Sequence, residues 1–240
     1  MCIRDRLGHS AFEIITDEGL NILIDPFISN NPACQIPVEE FNPDIILVTH
    51  GHSDHLGDAM ELSNKNNVPV AAIHEISLFL SKQGINNIGV NIGGSFIYRG
   101  VKFTMLDAKH SSVLDIVEEP LPAGDAASFL ITLEDGTKLF HAGDTGLFGD
   151  MKTIIGEIYK PDIALLPIGD KFTMGPFEAA LATRWIDSKV AIPMHYNTFP
   201  PIEQDPSIYA NFVSQLNPNI DVVILNPGEY FEYNPENYQD

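Results

Sequence analysis

The sequence predicts a layered α/β domain in which two similar halves pack face to face, sheets inside and helices outside. Three observations lead there. Short β-prone apolar runs alternate with helix-length segments along the chain. One hairpin pattern occurs twice, about half a chain apart. No Pro/Ser-rich linker or low-complexity tract interrupts residues 1–240, so a single domain is expected.

The first hairpin runs from Ala11 through Asp17-Glu18-Gly19 to Asp25. The second runs from Ser128 through Glu134-Asp135-Gly136 to His141, with Asp144 just beyond. Each joins two β-prone runs through an acidic-Gly turn, and Phe12 and Phe129 each stand seven residues before the turn glycine. Further strands are expected at 44–49, 68–72, 101–106, 163–168, 189–194 and 222–225. Helices are expected at 58–66, 75–83, 151–158, 176–188 and 207–216. Pro176 suits the first turn of its helix, and Glu178 adds favourable charge there. Pro206 precedes the last helix, and Asn217-Pro218 stops it.

At 44% hydrophobic, with 14 Phe, the chain has material for a sizeable core, which excludes whole-chain disorder. A net charge of −20 argues against nucleic-acid phosphate and against an anionic membrane surface as partners. The two cysteines, Cys2 and Cys34, exclude a disulfide-built scaffold and fit a reducing cytoplasm. No apolar run approaches the roughly 20 residues of a membrane span, and no signal peptide is expected at Met1–Arg6. Nucleotide-binding glycine motifs and a G-x-S-x-G elbow are missing from the sequence.

Chemistry concentrates in Thr49-His50-Gly51-His52-Ser53-Asp54-His55, between an apolar strand and the helix expected near Asp58. Imidazole and carboxylate are the donors preferred by zinc, manganese and iron. Four close donors exceed what one tetrahedral metal with an open position takes from a single loop, which hints at two metals. His110, Asp144 and His195 each follow an expected strand, and strand ends on one side of a sheet supply a shared rim.

With H-x-H-x-D-H after a strand, the chain resembles the metallo-β-lactamase superfamily. It looks most similar to bacterial metal-dependent hydrolases related to ascorbate-6-phosphate lactonase. The resemblance spans Gly8 to about Tyr233. Its other supports are Leu7-Gly8-His9-Ser10-Ala11-Phe12, Lys109-His110-Ser111-Ser112, His141-Ala142-Gly143-Asp144-Thr145-Gly146, Leu166–Gly169 with Phe172–Pro176, and Ile192 to Phe199.

The resemblance implies a four-layer αββα sandwich with a binuclear metal site at one rim. His50, His52 and His110 correspond to ligands of a first metal. Asp54, His55 and His195 correspond to those of a second, with Asp144 bridging, and Asp25 supports the histidine loop without ligating. Two divalent ions are implied, zinc first, with manganese or iron as alternatives. The implied reaction is hydrolysis of a small lactone, ester or amide by a metal-bound hydroxide, with Asp54 orienting the nucleophile and carrying a proton. The alternatives are a phosphodiesterase or nuclease on the same fold, or a metal-dependent oxidoreductase.

Four further points are open at this level. Met1–Arg6 is polar and charged where relatives open with an apolar strand, which puts the first strand in doubt. His9 reads equally as a residue lining the site or a satisfied turn histidine. His74 reads as surface, and His141 as structural or as support for the ligands. Lys171, in the loop after 163–168, is a candidate anchor for an anionic substrate group, against a solvated lysine paired loosely with Asp170.

Overall fold

The computed structural model describes residues 2–238. The first half contains strands β1 (Cys2–Gly8), β2 (Ala11–Ile15), β3 (Asn21–Ile24), β4 (Ile45–Leu47), β5 (Val70–Ile73) and β6 (Asn87–Val90). Helices α1 (Ser53–Leu56), α2 (Ala59–Asn66) and α3 (His74–Lys82) lie between its later strands. The second half contains β7 (Ser95–Tyr98), β8 (Val101–Asp107), the short pair β9 (Val113–Leu114) and β10 (Leu121–Pro122), β11 (Ala127–Thr132), β12 (Lys138–His141), β13 (Ile163–Pro167), β14 (Val190–Met194), β15 (Asp221–Val222) and β16 (Phe231–Glu232). Its helices are a π-helix at Met151–Tyr159, α4 (Pro176–Ile186) and α5 (Pro206–Leu216).

The sheet orders are β16-β1-β2-β3-β4-β5-β6 and β15-β14-β13-β12-β11-β8-β7. In the first, β1, β2 and β3 are antiparallel, and β3 to β6 are then parallel. In the second, β8, β11 and β12 are antiparallel, and β12 to β15 are then parallel. The hairpin echo in the sequence is therefore the visible part of a six-strand correspondence, β1–β6 with β8 and β11–β15. Parallel strands need both faces covered. Outside, α3 packs on β5 and β6, and α4 packs on β13 with α5 against it. A Thr183–Tyr209 hydroxyl pair at 2.6 Å joins those two helices. Inside, one hydrophobic cluster takes Phe12, Ile14 and Ile22 from the first sheet and Phe103, Phe129 and Phe140 from the second. This is the expected αββα sandwich.

The charged opening segment forms β1, which pairs with β2 on one side and β16 on the other. The doubt about a first strand is thus corrected. Ladder hydrogen bonds on both sides supply what its composition lacks. Pro176 occupies the first turn of α4, and the Asp205 side chain accepts from Ser207 N at 2.9 Å to cap α5. The segment 151–159 is helical as expected but wound wider, closing with Lys160 N to Ile155 O at 2.8 Å. The final expected strand, 222–225, is reduced to the two residues of β15.

Candidate metal centre

The strand ends named in the sequence converge on one rim between the sheets. A separate four-residue helix, α1, precedes the helix expected at 58–66, which is α2, so Asp54 and His55 sit in the turn of α1. Gly51 permits this loop: a Cβ there would lie 2.6 Å from Ala123 Cβ and 2.9 Å from Val113 O. Gly143, at φ +59°, brings the Asp144 turn as close to Thr49. Backbone bonds tie the rim together, with Ala127 N donating to Thr49 O at 3.0 Å, Gly146 N to Lys109 O at 3.0 Å and His195 N to His9 O at 2.9 Å.

The seven predicted donors fall into overlapping groups. One nitrogen from each of His50, His52 and His110 lies within 4.8 Å of the others. One donor atom from each of His9, Asp54, His55 and His195 does the same, as does one from each of His50, His55 and Asp144. Asp144 stands between these groups, with Oδ2 at 2.9 Å from His195 Nε2 and 3.6 Å from His110 Nε2, and Oδ1 at 3.3 Å from His55 Nε2. His50 Nε2 lies 2.9 Å from His52 Nδ1.

Asp25 accepts from Thr49 N at 2.8 Å and from Thr49 Oγ1 at 2.7 Å, and contacts His55 Nδ1 at 2.8 Å. It thereby occupies one nitrogen of His55 and aims the other at Asp144. This is how outer carboxylates fix the orientation of ligating histidines. Three residues of the rim hold left-handed backbone conformations uncommon outside glycine: His9 (φ 58°), Asp25 (φ 45°) and His195 (φ 55°). Each follows directly on a strand (β1, β3, β14), and such strain clusters at functional sites.

The electrostatics match an arrangement built around positive charge. Burial alone would raise the Asp144 carboxyl, but His195 and His55 hold it well below the usual range. Burial lowers His55, yet Asp144 and Asp25 on its two nitrogens push it well above an ordinary histidine. Asp54 is likewise held low by His9 and His55 against its own burial. Burial lowers His50 and His110.

The donor set fits a metal. His55 Nε2, Asp144 Oδ1 and His195 Nδ1 are buried and without an aligned hydrogen bond among the described residues. Buried polar atoms left so are costly unless something binds them. The Asp144 carboxylate faces nitrogens of His55, His110 and His195 at 3.3, 3.6 and 2.9 Å, an arrangement that a shared cation would satisfy. Nitrogen and oxygen donors of this kind suit zinc, manganese and iron.

The remaining histidines sort clearly. His74 is exposed. His141 is fully buried, with Nε2 at 3.0 Å from Ser10 O and Nδ1 accepting from Gly143 N at 3.2 Å. It has no spare nitrogen, and it fastens the Asp144 turn to the first hairpin. His9 is a residue of the site: fully buried, it contacts Thr198 Oγ1 through Nδ1 at 3.1 Å, and Nε2 lies 3.2 Å from Asp54 Oδ2. The signal was present in its position, directly after the first strand of its half, as His110 follows β8. Lys171 stands over the outer face of Phe172, 5.4 Å from the ring centroid, and does not line the cleft.

The fold and this cluster define a hydrolase of the metallo-β-lactamase type. The model of the beta-lactamase superfamily domain matches residues 20–196. The chain belongs to that superfamily and, within it, to the UPF0173 family of metal-dependent hydrolases. It is 57% identical over 223 residues to the UPF0173 metal-dependent hydrolase of Methanosphaera stadtmanae, covering 92% of this chain and 95% of the relative. A Geobacillus thermodenitrificans relative of the same description is 45% identical, covering 94% and 97%. Relatives are thus archaeal as well as bacterial. Among solved structures, Igni18, a metallo hydrolase from Ignicoccus hospitalis, superposes with TM-score 0.86 at 38% identity, covering 98% of this chain and all of that one. An isothiocyanate hydrolase from Delia radicum gut bacteria shares the fold at TM-score 0.74 and 19% identity. Among the described residues, no helix is long and apolar enough to cross a membrane.

Proposed function

We propose that the whole chain acts as one cytoplasmic, binuclear metal-dependent hydrolase of small lactones, esters or amides. The observation that carries this reading is the overlap of three donor groups through His50 and His55, beside a buried Asp144 carboxylate that contacts His55, His110 and His195. In it, His50, His52 and His110 hold one divalent ion, and Asp54, His55 and His195 hold a second. Asp144 serves both, and Asp25 locks His55. Zinc is the first choice for this donor set, with manganese or iron as substitutes. Kinship to ascorbate-6-phosphate lactonase rests on the motif pattern and bears on the bond broken, a lactone or ester C–O.

When bound, such ions supply acidified water and polarise the scissile group. The protein does the rest. The water oxygen forms a bond to the carbonyl carbon, the acyl C–O bond breaks, and the water's proton passes to the leaving oxygen. Asp54, the partly exposed carboxylate of the cluster, lines the cleft and carries that proton. His9 Nε2 stands 3.2 Å from one of its oxygens. The acidic surface favours a small-molecule substrate over nucleic acid or membrane.

The test is metal analysis of protein purified without added metal, followed by a screen of lactones, esters and phosphodiesters. About two metals per chain and turnover of the carbonyl substrates are expected. A metal content near zero in replete protein rejects the reading.

A further inference from the structure

The cleft above the donor groups, about 710 Å³, has two unlike walls. Beside His9 the wall is aromatic. Phe27 and Phe199 lie 5.7 and 5.6 Å from the His9 ring and 6.1 Å from each other, centroid to centroid. Phe172 stands at the mouth on the loop after β13, 54% exposed. A large apolar side chain left half in water at the entrance of a functional cleft has no core to serve. A second part of the lining, next in sequence to His52 and His110, is polar and acidic: Ser53, Ser111 and the exposed Asp115, with Ser53 Oγ donating to Asp115 Oδ2 at 3.3 Å.

Among the described residues, no lysine or arginine lines the cleft. Lys109, beside it in sequence to His110, is bonded to Asp107, and Lys171 lies on Phe172 outside the lining. A remote phosphate or carboxylate on a substrate would lose water beside Asp54 and Asp115 with no cation among the described lining residues to replace it. Such an uncompensated charge is rejected strongly. The net charge of −20 adds repulsion at longer range.

Resting on the hydrolase reading above, we propose that the substrate is an uncharged or cationic ester, lactone or amide. Its aryl or branched-alkyl group packs on Phe27, Phe172 and Phe199, and its other half presents a hydroxyl or ammonium to the Ser53–Asp115 wall. A second anionic group away from the scissile bond is excluded. Apolar bulk and one directional polar contact together orient the carbonyl over the metal donors, as in other small-molecule sites.

The test uses metal-loaded protein and three phenylacetate esters that share one acyl group: those of choline, ethanol and glycolic acid. The expected order of kcat/KM is choline at or above ethyl, with glycolate about 10-fold below choline. Asp115→Lys should invert the order of the two charged esters. Phe172→Ala should reduce the preference for phenylacetyl over acetyl esters by about 10-fold. A second arm needs no turnover: calorimetry of metal-free protein with 2-phenylethylammonium and phenylacetate. The ammonium is expected to bind more tightly, and both substitutions should weaken it. Preference for the glycolate ester, or tighter phenylacetate binding in the metal-free protein, overturns the inference. If no ester turns over at full metal loading but the ammonium arm holds, the proposed reaction fails and the recognition stands.

Discussion

His9 Nε2 stands 3.2 Å from Asp54 Oδ2, across the gap between the end of β1 and the turn of α1. The approach is off the line of a hydrogen bond, so a modest rotation of the carboxylate completes or releases it. Burial, with His195 nearby, lowers His9 to about 4, so it is a neutral ring at ordinary pH. Nδ1 lies 3.1 Å from Thr198 Oγ1, which leaves Nε2 as the ring nitrogen that faces Asp54. A neutral imidazole thus stands within reach of one oxygen of Asp54.

This gives His9 a measurable role in positioning Asp54. His9→Ala should lower kcat by about 10-fold with KM little changed, and His9→Gln, which keeps an N–H donor, should recover part of the loss. Metal content by elemental analysis should stay at the wild-type value in both variants. Loss of one metal per chain would instead make His9 a ligand.

Asp54→Asn keeps the shape and one acceptor oxygen but removes charge and proton-carrying capacity. Activity should fall about 100-fold or more while the circular dichroism spectrum is unchanged. Turnover within a few-fold of wild type at full metal loading would assign the proton to another group.

Metal stoichiometry separates the two donor groups. His52→Ala should lower the content from about two per chain toward one, because His52 belongs to one group alone. Asp25→Asn should leave stoichiometry at saturation intact yet weaken affinity by about 10–100-fold, since it loosens the aim of His55. Competition with a chelator reads both.

The metal-free protein should be most stable near pH ~6.5. His9, His50, His110 and His141 have lowered values, chiefly from burial. Below an unfolded value of ~6.5 the unfolded chain takes up protons that these residues refuse, so stability falls toward pH 4. His55 is raised, and its contribution is full below ~6.5 and lost as pH rises through its folded value. Thermal melts from pH 4.5 to 9 in chelator check this. Added metal should remove the alkaline decline, because it displaces the His55 proton. Melting temperatures that rise steadily with acid would contradict the burial of these rings.

Much of this was legible in the chain. The hairpin echo marked the β2–β3 and β11–β12 pairs because an acidic-Gly turn between β-prone runs is a local signal. The strands β4, β5, β13 and β14 fall within a residue or two of their expected bounds, since continuous apolar runs mark buried parallel strands, and the antiparallel β8 does so too. β6 was not legible: Asn87-Ile88-Gly89-Val90 has poor strand composition and is held by pairing to β5. The short α1 was missed because a four-residue helix has no periodicity to read.

By itself, then, the sequence pointed to sheets inside helices and to the histidine loop His50–His55, because both rest on local composition and spacing. Its resemblance to the superfamily implied the αββα class and added His110, Asp144 and His195 as candidate donors. Tertiary structure decided which donors share an atom-scale neighbourhood, that Asp144 meets His55, His110 and His195, that His9 faces Asp54, and that the cleft lining is aromatic in one part and acidic in another. Those facts join positions as distant as His9 and Thr198. They depend on how two sheets close their rims against each other, a relation between halves that no periodicity along one strand or helix encodes.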